Sequence, residues 1–115
     1  MKEVATKNAP GAVGAYSQGI DIGDLVFTSG QIPIDPSTGE MPEGAAAQAN
    51  QALKNVKAIL EEAGTDMRRV VKTTVLLQNI NDFGAVNEVY ESFFKEPYPA
   101  RSCFEVANIP KGALC

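Results

Sequence analysis

Short segments with apolar and β-branched residues, separated by residues typical of turns, occupy the first third of the chain, a pattern typical of β-strands. The pattern predicts an edge strand over Met1–Thr6 and two further strands over Ile20–Ile22 and Leu25–Ile32. The two later strands are joined through Gly23-Asp24 as a hairpin, and Pro33 ends the second. Residues 8–17 are rich in Pro and Gly and predict a shaped loop that carries a tyrosine.

Two later segments place apolar residues at spacings of three and four, which predicts amphipathic helices. The first helix is expected from about Ala45 to Ala63, with Gly64 as its C-terminal cap. Its apolar face consists of Ala45, Ala49, Ala52, Leu53, Val56, Ile59, Leu60 and Ala63. The second helix is expected to start after Asn81 or Asp82 as its N-terminal cap. Its face consists of Phe83, Val86, Tyr90, Phe93 and Phe94.

Each predicted helix is followed by a strand. Val70–Leu77 is apolar and β-branched and predicts a central strand, whereas Pro97 and Pro99 stop the second helix and lead into a last strand that ends at Val106. Because crossovers between neighbouring parallel strands are right-handed, we expect both helices on one face of the sheet. The fold class is therefore predicted as α+β, with the other sheet face left for a second copy of the chain.

Composition sets the size and the class of the protein. The chain has 115 residues, of which 44% are hydrophobic and 21% charged, which is typical of a single domain over residues 1–115. The net charge is −4 and the basic residues are scattered, which argues against nucleic acid as a partner. No apolar run approaches the roughly 20 residues of a membrane span, and no signal peptide is evident, so we expect no membrane partner and a cytoplasmic location.

The residue inventory excludes several kinds of chemistry. The chain has no histidine, which excludes Ser-His-Asp and Cys-His catalysis and the usual zinc sites. No Asp, Glu and Cys cluster has metal-ligand spacing, so no metal is expected. Cys103 and Cys115 are expected to be reduced. Because no histidine is present to activate it, Cys103 is interpreted as a small residue lining a pocket rather than as a nucleophile.

Arg101 is the most informative residue of the chain. In a strand it shares one face with Cys103 and Glu105, which predicts a cleft on that side, whereas Ser102 and Phe104 face the other side and can meet a core. Arginine holds a carboxylate through two parallel hydrogen bonds and stays charged at any working pH. The sequence therefore predicts a site for a small carboxylate. A structural ion pair, to Glu105 or to a neighbouring chain, is the alternative.

Asn87 and Ser29-Gly30 are two further candidate features. Asn87 lies four residues after Phe83 and three before Tyr90, so it falls on the inward stripe of the second helix, where a buried amide needs a partner. It either belongs to the site, bonds a nearby backbone group, or only flanks the stripe. Ser29-Gly30 is either a tight strand end or a place where another group approaches the backbone.

Motifs spread over the whole chain form a specific combination. They are Tyr16-Ser17-Gln18-Gly19, Phe27-Thr28-Ser29-Gly30-Gln31-Ile32-Pro33, Gln48-Ala49, Asn55-Val56-Lys57, Val71-Lys72-Thr73-Thr74-Val75, Asn81-Asp82-Phe83, Val86-Asn87, Tyr90, Phe93-Phe94 and Pro99-Ala100-Arg101-Ser102. Together they resemble the RidA/YjgF family of reactive-intermediate deaminases. The resemblance implies a chorismate-mutase-like fold with two helices on one sheet face, and a homotrimer whose sheets pack into a central barrel. It places the sites in clefts between subunits.

The family's activity is the hydrolysis of enamines and imines, such as 2-aminoacrylate and 2-aminocrotonate, to 2-keto acids and ammonia without a cofactor. By this resemblance Arg101 is expected to hold the substrate carboxylate, and the backbone of Cys103 to contact the substrate nitrogen or keto oxygen. These two are the expected catalytic residues. The expected substrate-binding residues are Tyr16, Ser29, Gly30, Asn87, Arg101 and Cys103. Because imines already hydrolyse in water, a site of this kind needs mainly to orient the substrate and one water.

Two other functions stay open at this point. The same cleft could bind a 2-keto acid or an amino acid and regulate without turnover. A ribonuclease or translation inhibitor is the weakest alternative, because the chain is acidic and has no histidine.

The chain departs from the family at its end. Family members continue after the position of Cys115 with a strand that opens with a glutamate, thought to activate the hydrolytic water, and the sequence stops one residue before it. The C-terminal strand is therefore expected to be truncated. A polypeptide ending at Cys115 is expected to bind 2-keto acids weakly and to deaminate poorly.

Overall fold

The structure, a computed structural model, describes residues 1–115 as two helices and five strands with short 3₁₀ turns. The strands are β1 (Lys2–Val4), β2 (Gly19–Asp21), β3 (Val26–Thr28), β4 (Lys72–Leu77) and β5 (Ala100–Glu105). The helices are α1 (Ala45–Glu62) and α2 (Phe83–Phe93). The 3₁₀ turns are Met67–Arg69, Ile80–Asp82 and Pro110–Gly112. Neither helix has the length and apolar character needed to cross a membrane.

The strands form two separate ladders. β1, β2 and β3 pair antiparallel in that order, whereas β4 and β5 pair parallel to each other. α2 joins β4 to β5, as the sequence predicts for a crossover between neighbouring strands. The same prediction for α1 is wrong, because β3 pairs only with β2 and β4 only with β5.

β3 ends at Thr28, although the apolar pattern predicts a strand up to Ile32. Beyond this point the backbone is held by a side chain of α1 rather than by a neighbouring strand. Nδ2 of Asn55 donates to the carbonyl oxygens of Ile32 at 3.2 Å and Ile34 at 2.9 Å. The segment is therefore an irregular loop whose carbonyls are satisfied by one buried amide.

The C-terminal end of α1 follows the sequence prediction. The helix ends at Glu62, and Gly64 adopts a φ of 85°, in the region that favours glycine. The N–H of Thr65 donates to the carbonyl of Leu60 and the N–H of Gly64 to that of Glu61, both at 3.0 Å. This pair of bonds is a Schellman motif, so the predicted glycine cap is confirmed.

The predicted cap position of α2 is correct, since Asp82 is the N-cap residue, but its side chain makes no capping hydrogen bond. Neither Asn81 nor Asp82 caps the helix through its side chain, since a 3₁₀ turn over Ile80–Asp82 leads directly into it. Instead Oδ1 of Asn79 accepts from the N–H of Asn81 at 2.9 Å. The capping side chain lies one turn earlier because the short 3₁₀ turn extends the helical path.

The core lies around α1, in three small clusters of buried apolar residues. They are Leu60, Met67, Tyr90 and Phe94; Val4, Ala9 and Ile59; and Ala49, Leu77 and Val86. α1 contributes one residue to each cluster, so it is the element against which both ladders and α2 pack.

The buried face of α1 also carries two amides that the apolar spacing does not predict. Asn55 is fully buried, and Gln48 is 6% exposed. Gln48 donates to the carbonyl of Pro42 at 3.0 Å and accepts from the N–H of Leu114 at 2.7 Å, which ties the C-terminal segment to the helix. No buried side-chain nitrogen or oxygen is left without a partner.

The sheet face opposite the helices is apolar and open. Leu76 and Phe104 are register partners on β4 and β5, with exposed fractions of 41% and 50%, and Phe27 on β3 is 58% exposed. The expectation that the Phe104 side of the last strand meets a core is wrong within this chain, because the Arg101 and Cys103 side faces α2. The strand thus turns its polar face toward α2, where Arg101 stays exposed and Cys103 is half-buried, and leaves its apolar face bare.

We expect that replacing Asn55 by alanine will lower the free energy of unfolding by about 2–4 kcal/mol, because two loop carbonyls and the amide of Gln51 lose their partner. Chemical denaturation at one fixed protein concentration measures this change. Asn50→Ala on the same helix, where the side chain makes no hydrogen bond, is the matched control and should shift stability by less than about 0.5 kcal/mol. Equal effects of the two variants would contradict the assigned role of Asn55.

Candidate functional site

Arg101 projects from β5 toward α2. Its register partner across the parallel ladder is Thr73 of β4. Nη1 of Arg101 donates to Oδ1 of Asn87 at 2.7 Å. The centre of the guanidinium lies 4.7 Å from the ring centroid of Tyr90 and 5.3 Å from that of Phe83. Three residues at helical spacing on α2 therefore surround one cation with an amide oxygen and two aromatic faces.

The charge of Arg101 is not neutralised within the chain. The single ion pair of the structure joins Arg68 and Asp66 at 3.5 Å, and it does not include Arg101. Glu105 does not bind Arg101, because its Oε1 accepts from the backbone N–H of Ile80 at 3.0 Å. The structural ion pair with Glu105 that the sequence left open is therefore wrong.

Asn87 contacts Arg101 through a neutral oxygen. The side chain is half-buried and its partner is the guanidinium, so the alternative in which Asn87 bonds only backbone is wrong. A guanidinium has five N–H donors in a fixed fork, and Asn87 engages Nη1 alone. The remaining donors of an exposed arginine can bind a carboxylate through two parallel bonds.

Cys103 lies two residues after Arg101 on the same side of β5. Its side chain is half-buried and packs against the cluster of Ala49, Leu77 and Val86, and its backbone is the register partner of Val75. Cys115 packs against the same cluster. Burial, together with the charge of Asp82, raises the pKa of the Cys115 thiol to about 11, so this thiol stays protonated at neutral pH.

Tyr16, Ser29 and Gly30 lie in the other part of the molecule, in the segments that flank β2 and β3. The N–H of Ser29 donates to the carbonyl of Gln18 at 2.8 Å, and its hydroxyl donates to the carbonyl of Ser17. Tyr16 is 51% exposed, and its hydroxyl accepts from the N–H of Val13 at 3.4 Å. A Cβ built on Gly30 would meet nothing within 4 Å, so the backbone there is open to an approaching group.

A buried amide shapes the loop that precedes Tyr16. Gln18 is 4% exposed, and its Oε1 accepts from the N–H of Thr6 at 2.6 Å. Its Nε2 donates to the carbonyls of Thr6, Ala9 and Pro10 at 3.1, 3.3 and 2.7 Å. Gln18 belongs to the motif Tyr16-Ser17-Gln18-Gly19, but among sequence signals only its place beside the Pro- and Gly-rich loop could have indicated this structural role.

The six predicted site residues thus fall into two groups. We call Asn87, Arg101 and Cys103 the cation group, and Tyr16, Ser29 and Gly30 the loop group. No hydrogen bond or ion pair joins the two groups within one chain. Within one chain the six residues are therefore not connected by polar contacts into a single site.

Two surface depressions lie away from both groups. A depression of about 450 Å³ is lined by Thr6, Asn8, Lys54, Lys57, Ala58, Glu61 and Glu62. A smaller one of about 190 Å³ is lined by Asp35, Thr38, Glu40, Met41, Pro42 and Gln51. Both are open and polar and contain no predicted site residue, so the chemistry of the side chains, not the depth of a pocket, locates the site. No group of three or more Cys, Asp or Glu is arranged to hold a metal ion.

Comparisons with known proteins agree with the resemblance found in the sequence. Residues 6–115 match the family described as Endoribonuclease L-PSP. The chain is 56% identical to the 2-iminobutanoate/2-iminopropanoate deaminase of Escherichia coli K12 over 113 residues, which cover 96% of this chain and 88% of the relative.

Solved structures show the same fold. The structure of the E. coli YjgF gene product superposes with a TM-score of 0.95 at 50% identity, covering 99% of this chain and 92% of the other. E. coli TdcF, solved with bound serine, superposes with a TM-score of 0.95 at 46% identity, with the same coverage of 99% and 92%. The YjgF structures thus share this fold, with two helices on one side of the strands. This chain belongs to the Endoribonuclease L-PSP family, that is, the YjgF/RidA family.

Proposed function

We propose that this chain hydrolyses 2-imino acids, formed from enamines such as 2-aminoacrylate and 2-aminocrotonate, to 2-keto acids and ammonia. The observation that carries the proposal is Arg101, a cation whose Nη1 donates to the neutral Oδ1 of Asn87 and whose other donors are free. Relatives of high identity carry the name 2-iminobutanoate/2-iminopropanoate deaminase, which names two small substrates that each bear a carboxylate.

The chemistry fits a site without strong acids or bases. Water adds to the C=N carbon, and the resulting carbinolamine releases ammonia to leave the C=O bond of a 2-keto acid, with no oxidant or reductant needed. Arg101 binds the carboxylate and fixes the orientation of the adjacent C=N bond. In this proposal the Cys103 backbone, next but one along β5, contacts the substrate nitrogen or keto oxygen, and no thiolate is required.

The loop group completes the site in a homotrimer. The open apolar face that carries Phe27, Leu76 and Phe104 needs a partner surface, since exposed apolar patches of this kind mark association sites. Self-association through this face would set Tyr16, Ser29 and Gly30 of one subunit beside the cation group of the next. The separation of the two groups within one chain supports this arrangement.

A second candidate function is binding without turnover. TdcF has been solved with bound serine, an amino acid rather than an imine. The same carboxylate clamp would hold an amino acid or a 2-keto acid equally well. Release of ammonia distinguishes the two functions.

Replacing Arg101 by alanine should reduce kcat/KM for imine hydrolysis by about 100-fold or more, because two charge-assisted hydrogen bonds to the carboxylate are lost. The assay couples a serine or threonine dehydratase to the protein and follows both the intermediate and ammonia. Arg69→Ala, which removes an exposed arginine outside the site, is the control and should not change the rate. Full activity of the Arg101 variant would exclude the clamp, and wild-type binding without acceleration would favour the second function.

Asn87→Asp should raise KM by about tenfold with little loss of stability. The substitution keeps the size of the side chain but places a carboxylate 2.7 Å from Nη1 of Arg101, where it competes with the substrate for the cation. Asn81→Asp adds the same charge at an exposed position just before α2 and serves as the control. A KM that changes equally in both variants would mean that only net charge matters.

Phe104→Asp should convert the trimer into monomers and lower the deaminase activity in parallel, because it buries a charge in the proposed interface. Light scattering coupled to size-exclusion chromatography measures the mass, which should be three times that of the chain for the wild type. Val13→Asp, in a loop and 81% exposed, should remain trimeric. A wild-type protein of single-chain mass would refute the proposed assembly.

A further inference from the structure

The guanidinium of Arg101 rests against a tyrosine that is itself held in place. Tyr90 is 5% exposed, and the centre of the guanidinium lies 4.7 Å from its ring centroid. At the far end of the ring the Tyr90 hydroxyl shares a hydrogen bond of 2.7 Å with Oγ1 of Thr73. The ring also stacks at a tilt on Phe94, with 4.6 Å between centroids. Its position is therefore defined at its hydroxyl end and along its side.

The register of β4 and β5 places the hydrogen bond between Tyr90 and Thr73 next to the guanidinium of Arg101. Thr73 and Arg101 are partners on neighbouring strands and point to the same side, toward α2. Because the Tyr90 hydroxyl bonds Thr73, the Tyr90 ring lies beside Arg101. The same helix places Asn87 one turn earlier, so the guanidinium meets a ring on its face and an amide oxygen on its edge.

We propose that Tyr90 and Thr73 are positioning residues for Arg101, and that their shared hydrogen bond sets the orientation in which the guanidinium receives a substrate carboxylate. The inference rests on the proposed function, in which Arg101 binds that carboxylate. An arginine side chain has many rotamers, and only a few aim two of its free donors at one point. The Tyr90 ring restricts sideways movement of the guanidinium through a cation–π contact, while Asn87 fixes the position of Nη1. Neither Tyr90 nor Thr73 touches the substrate in this scheme.

The test measures binding of two probes, 2-ketobutyrate and its amide, 2-oxobutanamide, which lacks the carboxylate. Tyr90→Phe keeps the ring and removes the hydroxyl, and Thr73→Val keeps the shape of the other partner. Each should weaken 2-ketobutyrate binding by about three- to tenfold, the range expected for one hydrogen bond. The double variant should be no weaker than either single variant, since all three lack the same bond. Binding of the amide should not change.

Tyr98→Phe is the matched control, because its exposed hydroxyl contacts only Glu91 at 3.5 Å. It should bind both probes like the wild type. Equal weakening of acid and amide, or additive losses in the double variant, would overturn the inference and leave a purely structural bond. A lower melting temperature with unchanged acid binding would do the same.

The outcomes also separate this inference from the proposed function. If the wild type binds 2-ketobutyrate but does not accelerate imine hydrolysis, the deaminase proposal fails, and the pattern among the variants still decides the role of Tyr90 and Thr73. If Arg101→Ala binds 2-ketobutyrate as tightly as the wild type, Arg101 is not a carboxylate clamp and both proposals fail.

Discussion

Asn55 joins helix α1 to a loop that has no strand partner. Its amide satisfies the carbonyls of Ile32 and Ile34, and Gln51 one turn earlier donates to its oxygen. A buried amide is costly unless its hydrogen bonds are made, and the two bonds that Asn55 donates also satisfy a backbone carbonyl each. Gln18 and Gln48 act in the same way on the N-terminal loop and the C-terminal segment. A chain with short strands thus keeps long irregular segments in one conformation.

The site depends on this scaffold only indirectly, through α1. α1 packs against α2, and α2 presents Phe83, Asn87 and Tyr90 to the parallel pair of strands. The site is chemically useful because the partners of Arg101 on α2 are uncharged. A carboxylate in place of Asn87 would pair with the cation, whereas an amide and two rings orient it and leave its charge available.

The sequence was sufficient for the elements with strong periodicity. Both helices, the parallel crossover and the glycine cap at Gly64 follow from spacing and residue type. It was not sufficient where side chains hold the backbone over long distances. The segment after Thr28 contains the β-branched residues Ile32 and Ile34, yet their carbonyls accept from Asn55, more than 20 residues away, and not from a neighbouring strand. Local propensity carries no information on such a partner, and for the same reason the pairing of Asn87 with Arg101 could not be read from either residue alone.

Whether one face of a strand meets a core or a cleft also depends on the whole fold and not on the strand alone. On β5 the alternation of residues was correct, but the apolar side of Phe104 is bare, and the side of Arg101 and Cys103 is the one that contacts α2 and the core. A chain of this size has one layer of helices, which can cover only one face of its strands. In the proposed trimer the bare face and the divided site have a common cause, because neither is completed by a single chain. Association would then bury the apolar face and bring the loop group to the cation, so that stability and activity would depend on the same contact.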